Sequence, residues 1–213
     1  MKMHEERSTR SGLLRLLKMR GSCSTSEMAE AMGITEMAIR RHIQSLEKDG
    51  IIRSTLVRKA MGRPSYRYSL TETADDLFPK NYAQLALDLL DQLESFEDGE
   101  ERITRLFEGR RDRLERRYRS RLSNLSPEQK IAALAEIQNE SGYMAECVAD
   151  AETPGVYTLY EYNCPVAKVA RQYRQACHSE RQLFERLLDA EVERTECLAD
   201  GQIRCTYKIR YRQ

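Results

Sequence analysis

Cys164, Cys177 and Cys205 are the residues of this chain whose type and spacing could do chemistry, with twelve residues between the first pair and twenty-seven between the second. Thiols in closely spaced pairs make a zinc knuckle. This spacing is too wide for one, and it suits ligands gathered from separate elements around a larger inorganic body. The chain has six cysteines among 213 residues. In a reduced compartment a single buried cysteine is a small core residue, but three that can meet point to a metal- or redox-dependent site.

The elements that must position them are a small antiparallel sheet and a helix. Alternating apolar segments predict strands over 143–148, 156–162, 192–198 and 203–211. Asp200-Gly201 is the hairpin signal joining the last two, and a helix is expected over 166–188. Cys164 then sits at a strand-to-helix corner before Pro165, and Cys177 lies within the helix. Cys205 shares an inward face with Ile203, Tyr207 and Ile209, because strand side chains alternate.

The same alternation places Cys197 opposite Arg204 and turns it to the other face with Glu193 and Thr195, unless the register shifts. Cys147, on the first strand, has no spacing argument behind it. Glu180, one helical turn beyond Cys177, is either a ligand or a buried acid paired with an arginine. His178 is turned about 100° away from Cys177.

The N-terminal part reads as a winged helix-turn-helix. Leu13, Leu14, Leu16 and Leu17 mark a first helix ending near Gly21, and Ser24 with Glu27 forms a capping box for a short second one. Gly33 supplies a left-handed turn, and Thr35 caps a third helix whose buried stripe is Ile39, Ile43 and Leu46. Thr35, Glu36, Met37, Arg40, Arg41 and Gln44 are the candidate contacts to the major groove. A wing follows over 53–70, in which Arg58, Lys59 and Arg63 would meet phosphate or the minor groove. His42 reads as a packing or phosphate-side residue and Cys23 as a filler.

Between the two parts, Tyr82, Leu85, Leu89, Leu93 and Phe96 recur at helical spacing, as do Ile103, Phe107, Leu114, Tyr118 and Leu122. The second of these helices carries an arginine run from Arg110 to Arg121. Two roles compete for it: a further DNA-contacting surface, or the solvated flank of a dimerisation helix. Helical charge runs are usually solvated, which favours the second. Another helix starts at Ser126-Pro127.

Charge follows the same division. Residues 1–80 hold 15 Lys and Arg against 10 Asp and Glu, whereas residues 81–213 hold 20 against 24, so the basic excess belongs to the DNA-reading part. No apolar run of about 18 residues predicts a membrane span, and the N-terminus is unlike a secretory signal, so the chain is expected in the cytoplasm. An enzyme using Cys177 as nucleophile with His178 or Glu180 finds no supporting Ser/His/Asp or phosphate-loop constellation.

Several motifs carry a family resemblance: Arg40-Arg41-His42-Ile43, Gly62-Arg63-Pro64, Tyr68-Ser69-Leu70-Thr71, Leu77-Phe78-Pro79, Asn163-Cys164-Pro165, Cys177-His178-Ser179-Glu180 and the segment 201–209. With these the chain resembles the SufR family over nearly its whole length. That family comprises winged-helix repressors of iron–sulfur-cluster biosynthesis genes, related to ArsR- and DeoR-type regulators. The resemblance implies a homodimer that binds double-stranded operator DNA, takes no small-molecule substrate, and holds an iron–sulfur cluster, [4Fe-4S] or [2Fe-2S], through Cys164, Cys177 and Cys205. Some members have a further cysteine midway between the last two, where this chain has Glu191. The alternative is a zinc- or thiol-redox-responsive regulator with the same head.

The expected architecture is α+β. A winged helix-turn-helix spans 1–78, a helical dimerisation region 79–140, and an antiparallel-sheet sensor domain with covering helices 141–213.

Overall fold

The computed structural model describes residues 2–58 and 64–211, the side chains of residues 2–8 excepted. Two compact units divide the chain, residues 1–80 and 81–213. Among the described residues no helix is long and apolar enough to cross a membrane.

The first unit contains helices α1 (Lys2–Arg20), α2 (Thr25–Met32) and α3 (Glu36–Lys48), with a small antiparallel sheet in the order β1-β3-β2. Its strands are β1 (Ser22–Cys23), β2 (Ile52–Val57) and β3 (Ser65–Leu70). The capping box forms as expected: Glu27 N donates to Ser24 Oγ at 3.3 Å, and Ser24 N donates to Glu27 Oε2 at 2.7 Å. Gly33 takes φ 66° between α2 and α3, a conformation that would strain any residue with a Cβ. Leu13, Leu17, Met28, Ile39 and Leu46 are sealed in one core that Cys23 helps to fill. Arg67 on the wing donates to Ser22 O at 2.6 Å and pairs with Glu27 at 3.2 Å, so β3 is fastened to the start of α2.

The second unit opens with α4 (Tyr82–Glu94), α5 (Gly99–Leu122) and α6 (Pro127–Glu140). A four-stranded antiparallel sheet follows in the order β4-β5-β7-β6, from β4 (Ala145–Ala149), β5 (Val156–Glu161), β6 (Glu191–Glu196) and β7 (Cys205–Arg210). The helical stretch is not set apart from the sheet. Ile103, Phe107, Leu134 and Ile137 share one core with Leu159, Phe184, Tyr207 and Ile209, so 81–213 is one body. Phe184 meets Tyr207 edge to face, with ring centroids 5.0 Å apart.

Three local features depart from the regular pattern. The helix expected over 166–188 is two helices, α7 (Ala167–Gln172) and α8 (Gln175–Leu188). At the break, Tyr173 has an extended ψ of 91°, and its hydroxyl donates to Asp91 at 2.6 Å and to Glu94 at 3.0 Å. Ile203 precedes β7 and is 82% exposed, so it does not join the inward face of that strand. Finally, the β6–β7 register shifts between Arg194 and Glu196, where β6 carries an extra residue, a β-bulge.

Three arginines of the run on α5 are tied into their own unit, and all of the run but Arg111 are exposed. Arg111 is buried and bonds to Asp112 and to Gln182 of α8, Arg119 pairs with Glu115, and Arg121 pairs with Glu140 at 2.6 Å.

Candidate functional site

Three cysteines of the second unit, Cys177, Cys197 and Cys205, belong to one core, and Cys164 packs against it, one cysteine more than alternation places there. Cys164 follows β5 at a corner held by Asn163, whose N–H donates to Tyr143 O at 3.0 Å and whose side chain donates to Gly142 O at 2.6 Å. Cys177 is buried on α8, and Cys205 is buried at the start of β7. Cys205 Sγ accepts from Leu198 N at 3.4 Å. Cys197 is the residue that sequence alternation turns outward, yet it is 3% exposed and belongs to the same core as Cys177 and Cys205. The bulge is the physical reason. Arg194 pairs with Tyr207 but Glu196 with Thr206, so one added residue inverts the faces beyond it.

The thiols sit in an acidic, poorly solvated pocket. Burial pushes Cys177 up to about 12, and the neighbouring Cys197 adds to the shift while Arg194 opposes it. Burial also raises Cys205 to about 12, against the Leu198 N–H, with Cys197, Glu161 and Glu180 adding to it. Cys164 rises to about 11 by burial, opposed by the Val166 N–H and assisted by Glu180, Glu161 and Cys197. Cys197 acts on all three thiols, so each of them lies within electrostatic reach of Cys197. Arg194 supplies a cation here; burial disfavours its charge, but Cys197, Tyr207 and Cys177 hold it. Its guanidinium donates to Cys177 O at 3.0 Å.

Two carboxyls lie beside the thiols. Among the described residues no arginine makes an ion pair with Glu180, although Arg110 and Arg194 both act to lower its pKa; its Oε2 accepts from Tyr207 OH at 3.0 Å, and the Tyr143 hydroxyl also bonds to it. The residue as a whole keeps some surface, but its carboxyl is enclosed, and burial raises its pKa. Glu161 is fully buried opposite Cys205 and accepts from Gln138 Nε2 at 2.7 Å. Burial, then Glu180, push its pKa well above the usual carboxylate value, opposed by Gln138 and Arg194. Strand alternation along β5 puts Glu161 on the same inward face as Leu159, a signal present in the sequence. His178 is exposed and bonded to Gln182, and Cys147 is exposed on edge strand β4.

A cavity of about 490 Å³ opens beside Cys164, Cys177 and Glu180, walled by Leu90, Leu93, Phe107 and Val169. Among the described residues, no three His, Cys, Asp or Glu side chains are close enough to enclose a single metal ion. Zinc would need sulfurs about 2.3 Å from one centre. Soft thiols are the donor type that an iron–sulfur cluster takes; of the four, Cys164 and Cys177 line the cavity.

In the first unit the groove-facing candidates are arranged as expected. Ile39, Ile43 and Leu46 turn α3 into the core and leave Glu36, Met37, Arg40, Arg41 and Gln44 exposed. Met37 is 82% exposed, a large apolar side chain left in solvent on the outer face of α3. Arg40 pairs with Glu36 at 3.3 Å, an exposed contact that DNA could displace at little cost. Thr35 is the N-cap, with Oγ1 accepting from Ala38 N at 3.3 Å, so its hydroxyl is already engaged. Arg58 is exposed at the end of β2; Lys59 and Arg63 lie outside the described residues.

Residues 10–56 match the DeoR-like helix-turn-helix domain. No curated protein matches the chain. Among solved structures it is similar to Bacillus subtilis PadR in complex with operator DNA, at 12% identity and a TM-score of 0.30, covering 83% of this chain and 98% of that one. It is also similar to trafficking protein particle complex subunit 3 from Naegleria fowleri covalently bound to palmitic acid. That likeness has 15% identity and a TM-score of 0.43, covering 67% of this chain and 98% of that one. At such scores neither bears on what this chain does. The domain match does: the first unit is a DeoR-like helix-turn-helix DNA-binding domain, and the chain that carries it is a DNA-binding transcriptional regulator.

Proposed function

We propose that this regulator is a homodimeric repressor whose binding to operator DNA depends on an iron–sulfur cluster held by Cys164, Cys177 and Cys205. The observation that carries the proposal is the convergence of these thiols, from a corner, a helix and a strand, in a chain that begins with a DNA-binding domain. When bound, the cluster supplies redox-sensitive cross-links between those three elements. The remaining work falls to the chain's own residues.

Cys164 would anchor the corner after β5, Cys177 would anchor α8, and Cys205 would anchor β7, so that loss of any one frees an element. Ligation requires thiolates, and burial keeps these groups protonated at neutral pH; each therefore gives up its proton to solvent as it binds. Arg194 offsets part of the negative charge that gathers there. Dimerisation would use the exposed apolar face of α4 and α5, where Leu85, Leu89, Phe96 and Leu106 lie in solvent. The dimer must present two copies of α3 about 34 Å apart, one turn of DNA. Coupling arises if ligation favours one dimer geometry over another.

Anaerobic reconstitution with ferrous iron and sulfide tests this directly. Brown protein with bound iron and acid-labile sulfide, which shifts an operator fragment when loaded and releases it when the cluster is removed, is the expected result. Colourless protein with stoichiometric zinc, or DNA binding indifferent to loading, would overturn it.

A further inference from the structure

We infer that Cys197 is the fourth thiolate of this centre, completing an all-cysteine site with Cys164, Cys177 and Cys205; the inference rests on the cluster reading above. From Glu191 opposite Arg210 to Arg194 opposite Tyr207 the β6–β7 ladder is regular, and on that register Cys197 would face outward. Glu196 then pairs with Thr206, so β6 has gained a residue at Thr195. Glu196 accordingly faces out, where it pairs with Arg204 at 2.9 Å and accepts from the Thr206 hydroxyl. The next side chain, Cys197, turns in beside Cys205.

The turn beyond it fixes the thiol in place. Cys197 O accepts from Asp200 N at 3.0 Å and from Gln202 N at 3.3 Å, while Cys197 N donates to the Gln202 side chain. Gly201 closes the turn at φ 86°. The adjacent Leu198 N–H points at Cys205 Sγ, so the two cysteines are held at opposite ends of one closed loop.

The other candidates for a fourth ligand are committed or misplaced. Glu180 is engaged by the Tyr143 and Tyr207 hydroxyls, and Glu161 by Gln138. Glu191, at the position where a midway cysteine occurs in some members of the resembled family, is exposed at the start of β6. Cys147 is exposed on the edge strand, and Cys23 belongs to the other unit. Binding is a simple exchange: the Cys197 S–H bond breaks, its proton passes to solvent, and the sulfur lone pair forms a bond to iron with no change of oxidation state.

The test uses the full chain reconstituted anaerobically with ferrous iron and sulfide, comparing wild type with Cys197→Ser and Cys147→Ser. Serine keeps the size but is a hard, poorly ionised ligand. Cys197→Ser is expected to hold iron and sulfide less tightly against a chelator by more than the roughly 10-fold that loss of an outer-shell partner costs, while Cys147→Ser matches wild type. Wild type supplies a second readout that no folding defect can confuse. With four cysteine ligands no iron is open, so added 2-mercaptoethanol leaves the electron paramagnetic resonance spectrum of the reduced protein unchanged, whereas any cluster remaining on Cys197→Ser responds to it. A Cys197→Ser protein with wild-type iron, sulfide and spectrum, or a wild-type spectrum that shifts with the added thiol, overturns the inference while leaving the three-cysteine cluster standing. Wild type that takes up neither iron nor sulfide removes the cluster reading itself.

Discussion

In the first unit, Ile39, Ile43 and Leu46 carry α3 into the core and leave Arg40, Arg41 and Gln44 in solvent; in the second, Cys177, Cys197 and Cys205 are themselves core residues. On the proposed reading, function and stability are therefore separable in one unit and shared in the other. A side chain on the outer face of α3 can change without disturbing packing. A thiol beneath the β5-β7-β6 sheet cannot ionise, bind or be replaced without acting on the fold around it.

Alkaline pH should separate the units most strongly. Burial raises Cys177 and Cys205 from 9.0 to about 12, and Cys164 to about 11, so the folded second unit holds protons that the unfolded chain releases. Their contribution is whole below about pH 9 and is lost as pH rises toward 12. The melting temperature of cluster-free protein, followed by circular dichroism, should fall steeply across that window, and Cys177→Ala should flatten the fall. An unchanged slope in that variant would mean that the thiols are not what resists ionisation.

Next comes packing. Phe184→Ala removes a fully buried ring that meets Tyr207 edge to face and should cost about 3–5 kcal/mol. Amide hydrogen exchange of the full chain should show the loss across 81–213 and leave 1–80 protected as before. Equal loss of protection in both would show that the units unfold together, and the contrast drawn here would fail.

The smallest effect is expected at the DNA surface. Arg40→Ala or Arg41→Ala should weaken operator binding by about 1–3 kcal/mol if the side chain reads a base, or chiefly reduce the salt dependence if it meets phosphate. Thermal stability should stay within about 0.5 kcal/mol of wild type. A stability loss equal to the loss in binding would place these arginines in the fold rather than at the groove.

How much of this was legible in the sequence follows the same line. The first unit is written in local signals, each complete within a few residues: the Ser24–Glu27 box, the Gly33 turn and the Ile39–Ile43–Leu46 stripe all form as read. In the second unit, three of the four thiols were legible, because a corner, a helix face and a strand face each follow from short-range pattern. Cys197 was not. Its orientation depends on a bulge at Thr195 that no glycine or proline marks, and pairing with β7 rather than anything in β6 decides it. The break at Tyr173 was equally hidden, since its hydroxyl bonds reach 79 and 82 residues back along the chain to Glu94 and Asp91. Ile203, apolar and in phase with Cys205, shows the opposite failure: a pattern continued past the point where the strand begins.

The bulge in β6 also changes what a comparison of related chains should count. Two sequences with the same cysteines but one residue more or less before the final hairpin would present different numbers of sulfurs to the interior. The donor number of such a centre is set by strand length as much as by residue type, and an alignment gap at Thr195 would be as consequential as the loss of a cysteine.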